Sequence, residues 1–348
     1  MTTSFLSFFY RSIRLITTKV IYSFQKFFFI PLDLESAVNF GDKSLVIITT
    51  SIPYVFNYQI PKNIEVELFD LKFPSPLTAA SFKSEIKILD FWLNLGLGSI
   101  TFKTIKKEER SGNKRPRLQE IKSNGHSGLL NSMGLPGPGI EKFIDEISNS
   151  KIWEYGRPLG ISIGGDSPEE YIFNIKKLIK GLREKNNYFI EINISCPNTD
   201  TGKSLADDLE NLNTVLNAVR KITSQVIGVK VSPDSEFKSL SIIGEIVGDY
   251  PKIFINAGNT QYKTINEVGI NKKDFSMPGG GLSGPMIFPK IIEMVQLFKR
   301  MELPIMATGG ISSIDHVKAV KDEGAILFGM ATSLVMDPFC IPRINRKL

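Results

Sequence analysis

VIGVKVSPDSEFKSLSIIGEIVGDYPKIFINAG, residues 226–258, is the stretch that decides the fold. It opens on a short apolar run at 226–232, passes through an amphipathic helical segment at 235–248, and closes on a second apolar run at 252–258. Runs this short and β-branched read as strands, so the stretch is one strand–helix–strand unit. The same alternation extends on both sides. Further strands are expected at 76–80, 99–104, 159–165, 188–195, 303–310 and 325–331. Helical segments are expected at 85–95, 138–147, 168–183, 205–222, 286–300 and 313–323. About eight such units in roughly 280 residues predict an α/β fold of the (β/α)8 TIM-barrel type. A doubly wound open sheet would need a glycine-rich nucleotide fingerprint after its first strand, and PLTAASF at 76–82 has none.

In a barrel the C-terminal strand ends converge on one face, where active sites form. Ala79, Ala80, Ser81, Ser162, Asn193, Lys230, Asn256, Gly309 and Gly310 end the predicted strands and are therefore expected around one pocket.

The chain of 348 residues is 42% hydrophobic and 22% charged, a composition suited to one large domain with an appendage. Its net charge of +6 permits an acidic partner without demanding one. The two cysteines, Cys196 and Cys340, form no CxxC motif, so a disulfide framework is not expected and the chain reads as reduced and intracellular. With only two histidines, His126 and His316, no zinc site is expected.

Residues 1–60 read as an N-terminal extension and 61–348 as the barrel. No acidic residue occurs before Asp33, and no uncharged run reaches the ~20 residues needed to span a bilayer. Phe5, Phe9, Ile13, Ile16, Val20, Phe24 and Phe27 recur at helical spacing, with Arg11, Arg14, Lys19 and Lys26 off that face. A basic amphipathic helix suits peripheral attachment to a membrane surface. Packing on the barrel and a cleaved organellar presequence are the other two readings. A second apolar stretch, 44–56, could complete a helical lid, although Pro53 breaks it. The basic insertion at 105–136 is expected to be a solvated hairpin beside the pocket. It is not read as a nucleic-acid site, because Glu108, Glu109 and Glu120 interleave its cations and no aromatics do.

Three glycine-containing loops point to a phosphorylated cofactor: GGGLSG (279–284), MATGGIS (306–312) and GMATS (329–333). The last two follow strands seven and eight, the usual phosphate site of such barrels. Lys230 interrupts an apolar strand and needs an anionic partner if buried. Lys103 ends another strand, although Lys106 and Lys107 beside it also fit a merely basic loop. Asn131, Asn193, Asn198 and Asn259, with Thr199 and Thr260 adjacent to two of them, offer both donors and acceptors and match a cyclic amide or imide. Cys196 follows a strand end in a polar turn with no histidine nearby in sequence. A base that removes a carbon-bound proton fits it better than acyl transfer does.

At NISCPNT (193–199), GGGLSG and ATGGIS the chain resembles the dihydroorotate dehydrogenases, the FMN enzymes of pyrimidine biosynthesis. The resemblance runs from about residue 65 to 335 and includes, in order, PLTAAS, SGNKRPRL, NSMGLPGPG, NISCPNT, VKVSPD, NAGNT, GGGLSG and ATGGIS. It implies Cys196 as the base acting on dihydroorotate, and Asn131, Asn193, Asn198, Asn259 and Thr260 as dihydroorotate/orotate contacts. It implies Ala80, Ser81, Lys103, Ser162, Lys230, Ser283, Gly284, Gly309, Gly310, Ala331 and Thr332 near FMN. Phe82 departs from the family pattern by replacing a glycine, and an arginine expected near Glu108 is missing. The cysteine and NSMGLP resemble the soluble class 1 enzymes, whereas the N-terminal extension resembles the membrane-bound class 2 enzymes, which reduce quinone. The expected acceptor is quinone rather than fumarate or NAD. The competing readings are an FMN-dependent dihydropyrimidine-type reductase, a non-redox phosphate-binding barrel enzyme, and a non-catalytic barrel at a membrane.

Overall fold

A computed structural model describes residues 3–123, 125–195 and 205–348; Cys196, Asn198 and Thr199 lie outside the described residues. The eight predicted strands are present as β1 (Leu77–Lys83), β2 (Ser99–Ile105), β3 (Leu159–Ile163), β4 (Tyr188–Asn193), β5 (Val226–Val231), β6 (Ile253–Ala257), β7 (Ile305–Thr308) and β8 (Leu327–Met330). Each pairs in parallel with the next, and β8 returns to β1 with Phe328 opposite Leu77 and Met330 opposite Ala79, closing the barrel. Every residue of β4 and β5 is buried. This is why both read as near-continuous apolar runs: a parallel sheet covered by helices has no wet face.

Two helices precede the barrel, α1 (Thr3–Phe27) and α2 (Leu34–Ser51). The predicted barrel helices follow as α3 (Ile86–Asn94), α4 (Ile140–Ser148), α5 (Pro168–Gly181), α6 (Leu209–Ile222), α7 (Phe237–Gly248), α8 (Phe288–Lys299) and α9 (Ile314–Asp322). Two short helices, α10 (Thr332–Met336) and α11 (Cys340–Asn345), end the chain. Their caps set their ends. Ser167 accepts from the Glu170 N–H with Pro168 in the first turn of α5. Asp208 accepts from the Asn211 N–H, so α6 starts later than its sequence pattern suggested.

The N-terminal end of the barrel is plugged by a hairpin, Val66–Leu68 with Leu71–Phe73, packed on Phe189, Phe254, Met306 and Leu327. Phe189 and Phe254 meet edge to face at 5.5 Å. They fit because Gly160 and Gly228 face them; a Cβ at either glycine would lie 2.4 Å from a ring atom. Burying each ring contributes ~1.5–3 kcal/mol. The lower barrel is therefore a filled core, and the open space among the described residues lies at the upper face.

Helix α1 forms as predicted and docks on the barrel, but not through its apolar stripe. Leu6, Ser7 and Gln25 are buried, whereas Phe5, Phe9, Ile13, Ile16, Val20, Phe24 and Phe27 are exposed, Phe27 at 76%. The docking face is held by polar contacts: Ser7 Oγ donates to Asp337 at 2.6 Å, Arg14 to Glu120 at 2.7 Å and the Tyr22 hydroxyl to Gln119 at 2.9 Å. Apolar contacts are also made on this inner side, Tyr10 meeting Phe339 edge to face at 6.2 Å, while the phenylalanine stripe points outward. Among the described residues no helix is long and apolar enough to cross a membrane. The 44–56 stretch is helical to Ser51 and restarts as a 3-10 turn at Pro53, as the proline requires.

The 105–136 insertion is a hairpin, Leu118–Ser123 with His126–Asn131, but it is less solvated than its charges suggest. It joins Gly279–Ser283 and Gln261–Thr264 in a four-stranded sheet over the barrel mouth, with Ile121, Leu129 and Leu130 buried. Its arginines have carboxylate partners within the molecule: Arg110 pairs with Asp166, Arg115 with Asp33 and Arg117 with Glu35.

Candidate active site

A cavity of about 970 Å³ occupies the C-terminal face of the barrel, between the strand ends, the four-stranded sheet and α1. Of the residues expected there, Ala80, Ser81, Lys103, Asn131, Asn193, Lys230, Asn259, Thr260, Ser283, Gly284, Gly309, Gly310, Ala331 and Thr332 line it.

Its floor is a buried polar chain. Lys230 Nζ donates to Ser81 Oγ at 3.0 Å, Ser81 Oγ donates to Glu191 Oε1 at 2.7 Å, and Asn256 Nδ2 donates to Glu191 Oε2 at 2.6 Å. Glu191 and Asn256 are fully buried and Lys230 nearly so. Ser81 thus stands between a cation at the cavity surface and a carboxylate below it, fixing the ammonium in a place where an unpaired charge would be costly. Lys103 is a second lysine on the lining, toward the end of β2. Burial drives its pKa down from 10.5 to about 8, partly offset by the Glu85 charge.

A second chain orders the amides. Asn193 Nδ2 donates to Thr104 Oγ1 at 2.8 Å, and Thr104 Oγ1 lies 2.9 Å from Ser162 Oγ. Asn193 Oδ1 accepts from Ser195 Oγ at 2.7 Å, and Ser195 Oγ accepts from Asn259 Nδ2 at 2.6 Å. Asn131 Nδ2 donates to the Gly281 carbonyl at 3.1 Å. The Tyr171 hydroxyl, donating to the Asn193 carbonyl at 2.7 Å, anchors the end of β4 to α5.

The opposite wall is made of the glycine loops. Gly284, Gly309 and Gly310 have φ of 110°, 134° and 72°. This left-handed backbone suits glycine and lets the chain approach a ligand closely. Thr332 Oγ1 donates to Ser283 Oγ at 2.8 Å, tying the loop after β8 to that wall.

Three expected residues are not brought into the cavity. Ala79 is fully buried in the barrel wall and does not reach it. Ser162 is fully buried one layer below, its hydroxyl engaged with Thr104, so it supports Asn193 from behind. Asn256 is likewise spent on Glu191. Cys196 and Asn198 fall outside the described residues. Several lining residues were not expected at the pocket from the sequence: Thr104, Asn113, Ser132, Met133, and Phe8, Arg11, Arg14 and Leu15 of α1. Glu191, the carboxylate under the floor, was also missed. Its signal was present, since an acidic residue two places before Asn193 in an otherwise apolar strand must face the same way.

Fold and site together define a (β/α)8-barrel enzyme with a cationic floor, a glycine-rich wall suited to a phosphate and an amide-lined wall suited to a small polar ring. Comparison with known proteins agrees. Residues 63–348 match the family model described as dihydroorotate dehydrogenase. A curated relative from Carboxydothermus hydrogenoformans, named dihydroorotate dehydrogenase B (NAD(+)), catalytic subunit, is 30% identical over 297 residues, covering 82% of this chain and 91% of the relative. One of the same name from Pyrococcus horikoshii is 31% identical over 285 residues, covering 80% and 89%. Among solved structures, the ligand-free DHODH of Eimeria tenella superposes with a TM-score of 0.72 at 20% identity, covering 87% of this chain and 92% of that one. The chain belongs to the dihydroorotate dehydrogenase family, and its activity is the FMN-dependent oxidation of dihydroorotate to orotate in pyrimidine biosynthesis. The residues present fit FMN: the left-handed glycine wall leaves room for a phosphate, and the lining carries cations, Lys103 and Lys230 among them, suited to an anionic group.

Proposed function

We propose that dihydroorotate binds at the amide-lined end of the cavity and that its electrons leave, by way of FMN, to a membrane-held quinone. The observation that carries the acceptor reading is the position of α1. Its inner face lines the same cavity as the strand ends, while its outer face presents Phe5, Phe9, Phe24 and Phe27 to the surroundings. Exposed apolar patches of this extent mark interaction surfaces, and Lys19 and Lys26 on the same helix suit an anionic lipid surface.

In this reading residues 1–60 are an extension on a barrel that begins at 61. Asn131, Asn193, Asn198, Asn259 and Thr260 orient the substrate ring through its amide edges. Gly284, Gly309, Gly310, Ser283, Ala331 and Thr332 hold the FMN phosphate side, and Ala80, Ser81, Lys103 and Lys230 line the ring side. Ser162 acts behind Asn193. When bound, FMN supplies the hydride acceptor. Cys196 takes the proton from the adjacent carbon of dihydroorotate. Cys196→Ser should slow anaerobic flavin reduction without lowering FMN content, and an unchanged rate refutes the base.

The names of the relatives favour a second acceptor reading, in which a partner protein carries electrons to NAD+. The two separate on one experiment. Full-length protein should sediment with anionic phospholipid vesicles and reduce a quinone. Phe9→Glu combined with Phe24→Glu, both on the exposed face, should abolish both properties while leaving reduction of a soluble dye intact. Full-length protein that neither binds vesicles nor reduces quinone refutes the membrane reading.

A further inference from the structure

We infer that Glu35, in the segment that precedes the family match, is a positioning residue for the substrate wall of the cavity. Residues 1–62 thereby contribute to dihydroorotate binding as well as to any docking. The inference rests on the assignment of the 131–135 loop to the substrate end.

Arg117 clasps that loop. Its Nη1 donates to the carbonyls of Ser111 and Asn113, each at 2.8 Å, and to that of Met133 at 3.4 Å. Its own backbone carbonyl accepts from the Ser132 N–H at 2.9 Å. One guanidinium therefore joins two loops, and both reach the cavity through Asn113, Ser132 and Met133. The loops meet closely: a Cβ at Gly134 would lie 2.7 Å from the Asn113 backbone nitrogen.

Glu35 holds the other edge of this guanidinium. Its two carboxylate oxygens accept from Arg117 Nε and Nη2, each at 3.0 Å, the fork-on-fork geometry that fixes an arginine in orientation as well as position. Arg115 lies 3.5 Å from the same carboxylate and bonds Asp33 at 2.6 Å, so the start of α2 and the insertion are latched together. Burial by itself would raise the Glu35 pKa; the Arg117 hydrogen bond and charge, with Arg115, bring it below the ordinary value. Without Glu35, Arg117 keeps its carbonyl contacts but loses the anchor that aims Nη1 at them, and the 132–134 wall loosens.

Orotate affinity, KM and kcat for dihydroorotate with a soluble dye acceptor, and FMN content are to be measured on full-length protein carrying Glu35→Ala or Glu35→Gln. The dye removes any dependence on membrane or partner. Glu35→Ala should raise KM and the orotate Kd about tenfold, corresponding to ~1.4 kcal/mol. Glu35→Gln, which keeps an acceptor oxygen and the side-chain shape, should raise them about threefold. The change should fall on KM rather than kcat, at unchanged FMN content. Asn131→Ala is run alongside. If it weakens orotate while both Glu35 variants leave affinity unchanged, the inference fails alone. If Asn131→Ala also has no effect, the assignment of the loop fails with it. Should Glu35→Ala not fold, Glu35→Gln decides, and unchanged affinity in that variant overturns the proposal.

Discussion

Glu191 offers the sharpest test of how the cavity floor is built, because physical chemistry allows two opposite outcomes on its removal. Its carboxylate accepts from Ser81 Oγ and from Asn256 Nδ2, and Ser81 in turn accepts from Lys230. In Glu191→Leu the Ser81 hydroxyl and the Asn256 amide lose their acceptor, at ~1–3 kcal/mol each. The Lys230 ammonium also loses its nearest counter-charge, so the total cost is about 3–6 kcal/mol. In Glu191→Gln both contacts can be remade as neutral hydrogen bonds. Ser81 donates to the new carbonyl, and the Asn256 amide, whose Oδ1 has no partner among the described residues, turns over to accept from the new NH2. What is then lost is the charge assistance, ~1–2 kcal/mol. At ~2.1 cal/mol/K per residue, 348 residues give an unfolding entropy near 0.7 kcal/mol/K, so 1 kcal/mol corresponds to about 1.4 °C. Calorimetry of the FMN-loaded protein should therefore show Tm lowered by about 4–8 °C for Glu191→Leu and about 1–3 °C for Glu191→Gln. A Tm at or above wild type for Glu191→Leu would mean that the buried carboxylate is a net cost, as buried ions can be, and the account of the floor would be wrong.

Two other predictions concern ligand binding. Gly310 has a φ of 72°, and a Cβ there would lie 2.7 Å from the Phe288 Cβ. Gly310→Ala should therefore weaken FMN about five- to thirty-fold, corresponding to ~1–2 kcal/mol of backbone strain, and the protein should emerge from gel filtration depleted of flavin; full retention contradicts the cradle. Lys103, with its pKa lowered to about 8, is charged in both folded and unfolded states below that pH, and it is there that its burial penalty is fully present. The penalty is relieved as pH rises from about 8 toward 10.5, where only the unfolded chain holds the proton. Binding of an anion runs the other way. FMN affinity of the apoprotein should fall between pH 7 and 9.5 by up to about thirty-fold as the Lys103 charge is lost, and Lys103→Met should flatten that profile. An identical profile in the variant refutes the role.

The barrel was legible because its strands are short, apolar and evenly interleaved with amphipathic helices; buried on both faces they show no alternation, and their shortness and β-branched content mark them as strands. The site was legible to the extent that strand ends must converge: Lys230, Asn193 and Gly309 fell where that geometry puts them. Depth was not legible. Ser162 and Lys230 both occupy strand ends, yet one hydroxyl faces Thr104 below the cavity and one ammonium reaches its surface. Side-chain length and the stagger of a tilted barrel decide this, and neither shows in a strand pattern. The docking face of α1 was missed for a related reason. Hydrophobic periodicity finds the stripe that avoids water, but Ser7, Arg14 and Tyr22 hold the helix through hydrogen bonds to residues distant in sequence. The Glu35–Arg117 clasp bridges residues far apart in the chain and has no local signature at all.

The central claim is that this cavity oxidises dihydroorotate at FMN, and anaerobic titration of the flavin-loaded protein tests it most directly. Dihydroorotate should bleach the flavin absorbance with one orotate formed per flavin reduced. Flavin that dithionite bleaches and dihydroorotate leaves fully oxidised would contradict the account.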